Sequence, residues 1–516
     1  LSVPSVWTRA DYADSSFTTF TYDAVGRLTR ATDSISGAID FFYDNLDRLV
    51  LELSPQGAVA YEYDAIGRRI TMTVAGQAPV MYQYDAASRL TQVAQGSLSI
   101  GIGYDAAGRR TTLTYPNGTS TSYTYDNASR LLTITHNGPA GVIESLTYTY
   151  DAAGNRTSLT RANGAASVLP ASVTSATYDA ANQQTAFAGT THTFDANGNL
   201  TNDGTNTYTW DARNRLIGIS GGATANFVYD PLGRRESKTI GGTTTQFVYD
   251  GNDIAQEIQG GTVAAAYLRS LNIDEPFIRQ TGVAHEYYHA DALGSSLVLS
   301  NAAGGSVTTY AYEPFGKTTV AGTNANTLQF TGRENDGTGL YYYRARYYSP
   351  LLPRFTNEDS LDLSEIILLA QGDQTEVPDP EFIALLRSTV LANPLLGNRY
   401  SYALSNPVNF SDPTGEIIPQ LIGCTLGAGI SVGVDVFSGR KINLLDASLG
   451  CALGAFGGFG YGKAFKFGLH DPHHYFPLFG RNLSHFQVNW WQKGVSGSGN
   501  AFRIPIPPSI YKIFKP

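Results

Sequence analysis

Four of the chain's eight histidines, His470, His473, His474 and His485, fall within its last 47 residues. Imidazole takes or gives a proton near neutral pH, so histidines gathered in one short segment suit acid–base work or metal binding. The same segment carries Arg481, Lys493 and Arg503, cations that can hold a phosphate or offset its transition-state charge. Trp490 and Trp491 can stack on bases. Basic, imidazole and aromatic groups together fit a phosphodiester substrate. His473, His474 and His485 then form the acid–base set and Arg481 holds phosphate. Asn482, Gln487, Trp490, Lys493 and Arg503 bind and orient the substrate. No cofactor is demanded by this set; a divalent metal, if one takes part, would sit on the same three histidines. Two other patterns are weaker. His285-Glu286-Tyr287-Tyr288-His289 spells a zinc-protease motif, but that chemistry needs both histidines on one helical face, and the tyrosine pair favours a strand. Gly457 to Lys463 has phosphate-loop spacing, yet Ala464 stands where magnesium needs Ser or Thr.

The elements that would position these groups divide the chain in two. Of the net charge of −9, residues 417–516 carry +6 and the remainder −15, so body and tail are expected to meet different partners. Only 15% of the 516 residues are charged, while 32 Tyr and 54 Gly favour strands and turns over helices. Cys424 and Cys451 allow one bridge at most, which excludes a disulfide framework. Each lies in a copy of one pattern, Gly423-Cys424-Thr425-Leu426-Gly427-Ala428 and Gly450-Cys451-Ala452-Leu453-Gly454-Ala455. Glycines four apart let helix backbones approach closely. A two-helix hairpin is expected there, either a buried linker or a membrane-inserting aid, although its apolar runs fall short of the ~20 residues of a span. The first residue is Leu1 and no leader follows it, so the sequence is expected to be a C-terminal fragment.

The body is periodic. Tyr-Asp pairs at Tyr22, Tyr43, Tyr63, Tyr84, Tyr104 and Tyr125 are 21, 20, 21, 20 and 21 residues apart. Looser copies follow at Tyr150, Tyr178, Phe194, Trp210, Tyr229 and Tyr249. The unit Tyr-x-Tyr-Asp-x-x-Gly-Arg predicts a strand, a turn in which Asp bonds the local backbone and Gly takes positive φ, and a returning strand. One such hairpin cannot bury its own face, so the hairpins are expected to stack into a continuous sheet.

With these units the chain resembles the RHS/YD-repeat family, over roughly residues 17–415. Further motifs carry the resemblance: His289-Ala290-Asp291-Ala292-Leu293-Gly294-Ser295, Tyr312-Glu313-Pro314-Phe315-Gly316, and Gly339-Leu340-Tyr341-Tyr342-Tyr343-Arg344-Ala345-Arg346-Tyr347-Tyr348. Asn398-Arg399-Tyr400-Ser401-Tyr402 and Asp412-Pro413-Thr414-Gly415 complete the series. The resemblance implies a spiralling antiparallel sheet that closes as a hollow shell around cargo. It also implies an aspartyl self-cleavage by Asp359 and Asp412, two carboxyls sharing a proton, with a cut shortly after Gly415, near Glu416-Ile417. Ser360 departs from the family's usual Pro, Pro353 from a common Gly, and Glu416 from an apolar residue. A helical-looking insert over 361–396 separates the two aspartates.

In the tail, His473-His474-x-x-Pro477-x-x-Gly480-x-Asn482-x-x-His485 is similar to a compact His-Asn-His nuclease, which implies one His activating water and others holding a metal. A metal-free ribonuclease and a small binding domain with structural histidines are the alternatives. The fold expected is mainly β: a partial YD-repeat shell followed by a small α+β domain. The divisions are 1–280 for the repeat shell, 281–416 for the RHS-associated core with its cleavage region, 417–461 for the Gly/Ala-rich linker, and 462–516 for a variable toxin domain. A polymorphic toxin of this kind implies a cognate immunity protein, secretion machinery, target-cell nucleic acid and contacts of the shell interior with its own tail. It would be secreted or surface-borne and delivered to target cells. The rival is a non-enzymatic wall-associated repeat protein that binds carbohydrate or other surfaces, for which a basic, His-rich tail has no evident use.

Overall fold

The computed structural model describes residues 8–163, 170, 172–173, 175–323, 325–360 and 398–416, together with the backbone of three short strands nearer the C-terminus. Among the described residues there is no α-helix. Strands β1 (Arg9–Asp11) to β15 (Arg156–Arg161) form one sheet and β19 (Thr193–Phe194) to β32 (Thr318–Gly322) another. In both, each strand pairs with its neighbours in sequence. A three-stranded sheet, β16 (Ala176–Tyr178) to β18 (Thr190–Thr191), lies between them in sequence. A four-stranded sheet, β33 (Glu334–Asn335), β34 (Tyr341–Tyr343), β35 (Arg346–Ser349) and β36 (Arg354–Phe355), follows. The single continuous sheet expected from the repeat is therefore divided. The division falls where the repeat loses its step: Tyr125, Tyr150 and Tyr178 are 25 and 28 residues apart, and Phe194 and Trp210 follow at 16 and 16.

The Tyr-Asp pair marks a strand end because three side chains lock each turn to the next. In the turn after Tyr63, Asp64 Oδ1 accepts the backbone N–H groups of Ile66 and Arg68 at 3.1 and 2.9 Å. Arg68 Nε donates to Asp64 Oδ2 at 2.6 Å. Its guanidinium lies over the ring of Tyr84, 4.7 Å from the centroid, and the Tyr84 hydroxyl donates back to the Arg69 carbonyl at 2.6 Å. The same Asp–Arg–Tyr contact recurs from Arg27, Arg48, Arg89, Arg109, Arg130, Arg215 and Arg234. Each Tyr-Asp strand also slips by one residue just before the pair, as between Glu62 and Tyr63. Such a bulge re-aims a side chain, here toward the preceding return strand. At the turn corner Gly67 takes φ 87°, and where glycine is missing Asp47 and Ser88 take φ 63° and 60°.

The two large sheets pack together through one buried cluster that joins Phe20, Val59, Val93 and Leu113 of the first to Leu232, Leu268 and Tyr287 of the second. Polar pairs run along the same seam: Asp33 with Arg213, Glu52 with Arg234, Arg69 with Asp250 and Arg110 with Glu275. These partners are 180, 182, 181 and 165 residues apart, so the two meanders advance side by side. Beyond them an aromatic cluster of Phe330, Tyr341, Tyr343, Tyr348, Phe355 and Tyr402 seats the four-stranded sheet and the segment 398–416.

Candidate functional site

Arg346 opens β35, opposite Tyr343 across a two-residue turn in which Arg344 takes φ 59°. Its side chain is buried and lies over the Phe355 ring, 3.7 Å from the centroid. A buried guanidinium needs counter-charge and acceptors for its N–H groups. Arg346 Nη2 lies 2.6 Å from Asp359 Oδ2 and 3.7 Å from Asp412 Oδ2. Nη1 donates to the Arg399 carbonyl at 2.7 Å, and Nε donates to the Gly415 carbonyl. The two aspartates, 53 residues apart in sequence, thus meet on one guanidinium beside the backbone of Gly415.

Each aspartate is tied to its own frame. The Asp359 N–H donates to the Arg399 carbonyl at 3.0 Å, and Arg399 Nη2 returns a bond to the Asp359 carbonyl at 2.7 Å. Asp412 Oδ1 accepts the Gly415 N–H at 2.9 Å and the Thr414 hydroxyl at 3.3 Å, closing a tight turn. Gly415 takes φ 71°, and a Cβ there would collide with the Tyr343 carbonyl oxygen. Only glycine lets this turn lie against the β34–β35 corner. The corner is itself braced: Arg344 donates to the Pro413 carbonyl and pairs with Asp274 at 2.7 Å and Asp253 at 3.0 Å.

Electrostatically the pair is asymmetric. Burial pushes the Asp412 carboxyl up to about 7; Arg346 pulls it down, and the neighbouring charge of Asp359 pushes it further up. Of the two carboxyls it is Asp412 whose proton is held toward neutral pH, by burial and by the charge of Asp359 beside it. The arrangement can deliver a proton from one carboxyl and accept one at the other.

The zinc-protease pattern is part of strand β29 (Ala284–Ala290), not a helix. Glu286 pairs with Arg279 at 2.8 Å, and His289 is buried with Nε2 on the Ser300 hydroxyl at 2.9 Å. In the tail only backbone is described: β37 (Phe465–Gly468), β38 (His485–Trp490) and β39 (Phe502–Pro505) form an antiparallel sheet with β38 central. Gln487 stands opposite Arg503, and His485 and Trp490 lie on the same strand as Gln487. His470, His473, His474, Arg481, Asn482, Lys493, both cysteines, the 417–461 linker, the phosphate-loop pattern and the 361–396 insert lie outside the described residues.

Arg346 is the residue of this site not singled out from sequence. Its signal was two arginines inside an aromatic run that must be buried, since a buried charge implies a partner.

A family model described as Teneurin YD-shell matches residues 50–138 and 118–377. The tRNA nuclease WapA of Bacillus subtilis is 27% identical over 251 residues, 47% of this chain and 9% of that protein. Double-stranded DNA deaminase toxin A of Burkholderia cenocepacia is 28% identical over 181 residues, 28% of this chain and 13% of its own length. This chain therefore spans only a small part of either relative. The crystal structure of TcdB2-TccC3-TEV shares the fold with a TM-score of 0.53 at 17% identity, over 79% of this chain and 27% of that one. Repeat, shell architecture and a family match over more than half its length agree: this chain belongs to the Teneurin YD-shell family.

Proposed function

We propose that this chain is the shell and self-cleaving closure of an RHS-type polymorphic toxin whose C-terminal part is the released effector. The observation that carries the cleavage is Arg346 gathering Asp359 and Asp412 beside the Gly415 carbonyl. Asp359 takes a proton from water, whose oxygen bonds to a carbonyl carbon shortly after the Asp412 turn, near Glu416-Ile417. Asp412 supplies the proton that the departing amine keeps as the C–N bond breaks. The Arg346 hydrogen bond to the Gly415 carbonyl fixes the stretch that leads into the cut. The purified chain should run as two pieces, the smaller near 100 residues. Asp359→Asn or Asp412→Asn should leave it whole, because either change removes half of the proton-sharing pair. An intact wild-type chain would overturn the dyad.

For the tail, a nuclease fits best. The activities of the two relatives, on tRNA and on double-stranded DNA, support a nucleic-acid target, as do the basic charge and clustered histidines. His473, His474 and His485 are the acid–base or metal set, with Arg481 on phosphate. Asn482, Gln487, Trp490, Lys493 and Arg503 hold the substrate. A cognate immunity protein, a secretion route out of the producer and delivery to a target cell follow from this role. The released piece is incubated with DNA, messenger RNA and transfer RNA, with and without chelator. His474→Ala and His485→Ala should each lower the rate ~10²–10⁴-fold. Chelator arrests the metal-dependent version and spares the other. Three intact substrates would exclude the nuclease.

A further inference from the structure

Two residues at the candidate site depart from the pattern of the resembling family, and the structure sets them on each other. Ser360, in place of Pro, donates its hydroxyl to Glu416 Oε1 at 3.1 Å, and Glu416 replaces an apolar residue. Glu416 is joined to the aspartate turn as well: its backbone N–H donates to Thr414 Oγ1 at 3.4 Å, and that hydroxyl donates to Asp412 Oδ1 at 3.3 Å. The segment 358–360 thus brings a serine, and the segment 412–416 a third carboxyl, to a site already holding Asp359, Asp412 and Arg346.

We propose that the Ser360–Glu416 pair is a positioning device for self-cleavage, setting the pH range over which the Asp359–Asp412 dyad cuts the chain. It rests on the self-cleavage proposed above. The charged groups that act on Glu416 are Asp359, on the segment that carries Ser360, Arg346 on β35, and Asp412 on its own turn. Arg399 is occupied by the Asp359 carbonyl and by Glu358 at 2.7 Å. Arg346 is shared by the two aspartates and two carbonyls, so no described cation is reserved for Glu416.

Burial and then the charge of Asp359 push the Glu416 carboxyl up to about 7, while the Ser360 hydrogen bond favours its ionised form. Asp412 is pushed to about 7 by burial and by Asp359, with Glu416 adding in the same direction. The sign follows. As pH rises through about 7, a charged Glu416 beside Asp412 makes loss of the Asp412 proton harder. Cleavage that needs that proton persists to higher pH than the aspartates alone would allow. A glutamine or leucine at 416 removes this help, and Ser360→Ala weakens it.

Denatured full-length chain is refolded by dilution into buffers from pH 5 to 9, and the cut fraction is followed in time, with circular dichroism confirming the refolded sheet at each pH. Asp412→Asn is the uncut control. Glu416→Gln should move the alkaline midpoint of the cleavage rate down by ~0.5–1 pH unit, and Ser360→Ala by less, in the same direction. Each profile is normalised to its own rate near pH 5.5, so that the midpoint alone is compared. Glu416→Leu, the family's kind of residue, should shift the midpoint as Gln does and serves if Gln impairs refolding. Superimposed profiles for wild type, Glu416→Gln, Glu416→Leu and Ser360→Ala, with wild type cutting, overturn this inference and leave the dyad standing. No cutting by wild type overturns both.

Discussion

Arg346 gathers the candidate site on one side chain: counter-charge for two aspartates, a ring to stack on, and two carbonyls to hold. It works only because Gly415 lets the chain lie against it. Gly415→Ala places a Cβ on the Tyr343 carbonyl at a positive φ, a strain of at least ~2 kcal/mol. Self-cleavage of that variant should fall by more than tenfold on a gel, while the repeat region, far from the clash in sequence, should keep its far-ultraviolet dichroism. A fully cut Gly415→Ala chain would show that the turn need not touch the β34–β35 corner. Asp359 and Asp412 were legible because the resembling family marks both positions. Arg346 was harder to see, since nothing in its local spacing says that two distant segments converge on it.

At the scale of the element, the YD turn explains why one sequence unit recurs. Asp shapes the turn, Arg binds that Asp and covers the next Tyr, and the Tyr hydroxyl returns to the strand before it. Each arginine therefore belongs to two hairpins, and Arg68→Ala should cost more than a surface ion pair, about 1–2 kcal/mol. Urea denaturation of the uncut Asp412→Asn chain measures this, with Arg68→Lys intermediate, because an ammonium keeps the charge but loses the fork. A shift no larger than that of an exposed Arg30→Ala would deny the ladder its role. The turns and strand ends could be read directly from the 20-residue step. The bulge before each Tyr could not, because it depends on how the return strand pairs rather than on alternation.

At the scale of the molecule, the two sheets meet along a seam that includes two buried histidines. His136, on β13 (Leu131–Gly138), donates to the Ala290 carbonyl at 3.1 Å across the seam, and its ring lies 5.2 Å from that of His289. Burial lowers His136 to about 4 and holds His289 well below its ordinary range. In the unfolded chain both protonate near 6.5. Between about 6.5 and 4 the unfolded state binds more protons, so stability falls as pH falls through that window, by about 3 kcal/mol for His136. The urea midpoint of the uncut chain should drop between pH 7 and 4.5, and His136→Gln should lessen the drop. An equal drop in both proteins would place the acid sensitivity elsewhere.

Periodicity alone determined the hairpins, the turn residues and the strand ends, because each depends on neighbours within about 20 residues. Composition likewise announced an acidic β-rich body and a basic tail of different chemistry. Only the tertiary structure decided where the sheet divides, that two meanders run side by side some 180 residues apart, and that Asp359, Asp412, Arg346 and the Ser360–Glu416 pair share one site. The physical reason is range. A hairpin is chosen by local hydrogen bonds and turn geometry, whereas a buried charge is placed by whichever distant segment can satisfy it, and that partner is revealed only when the chain has closed on itself.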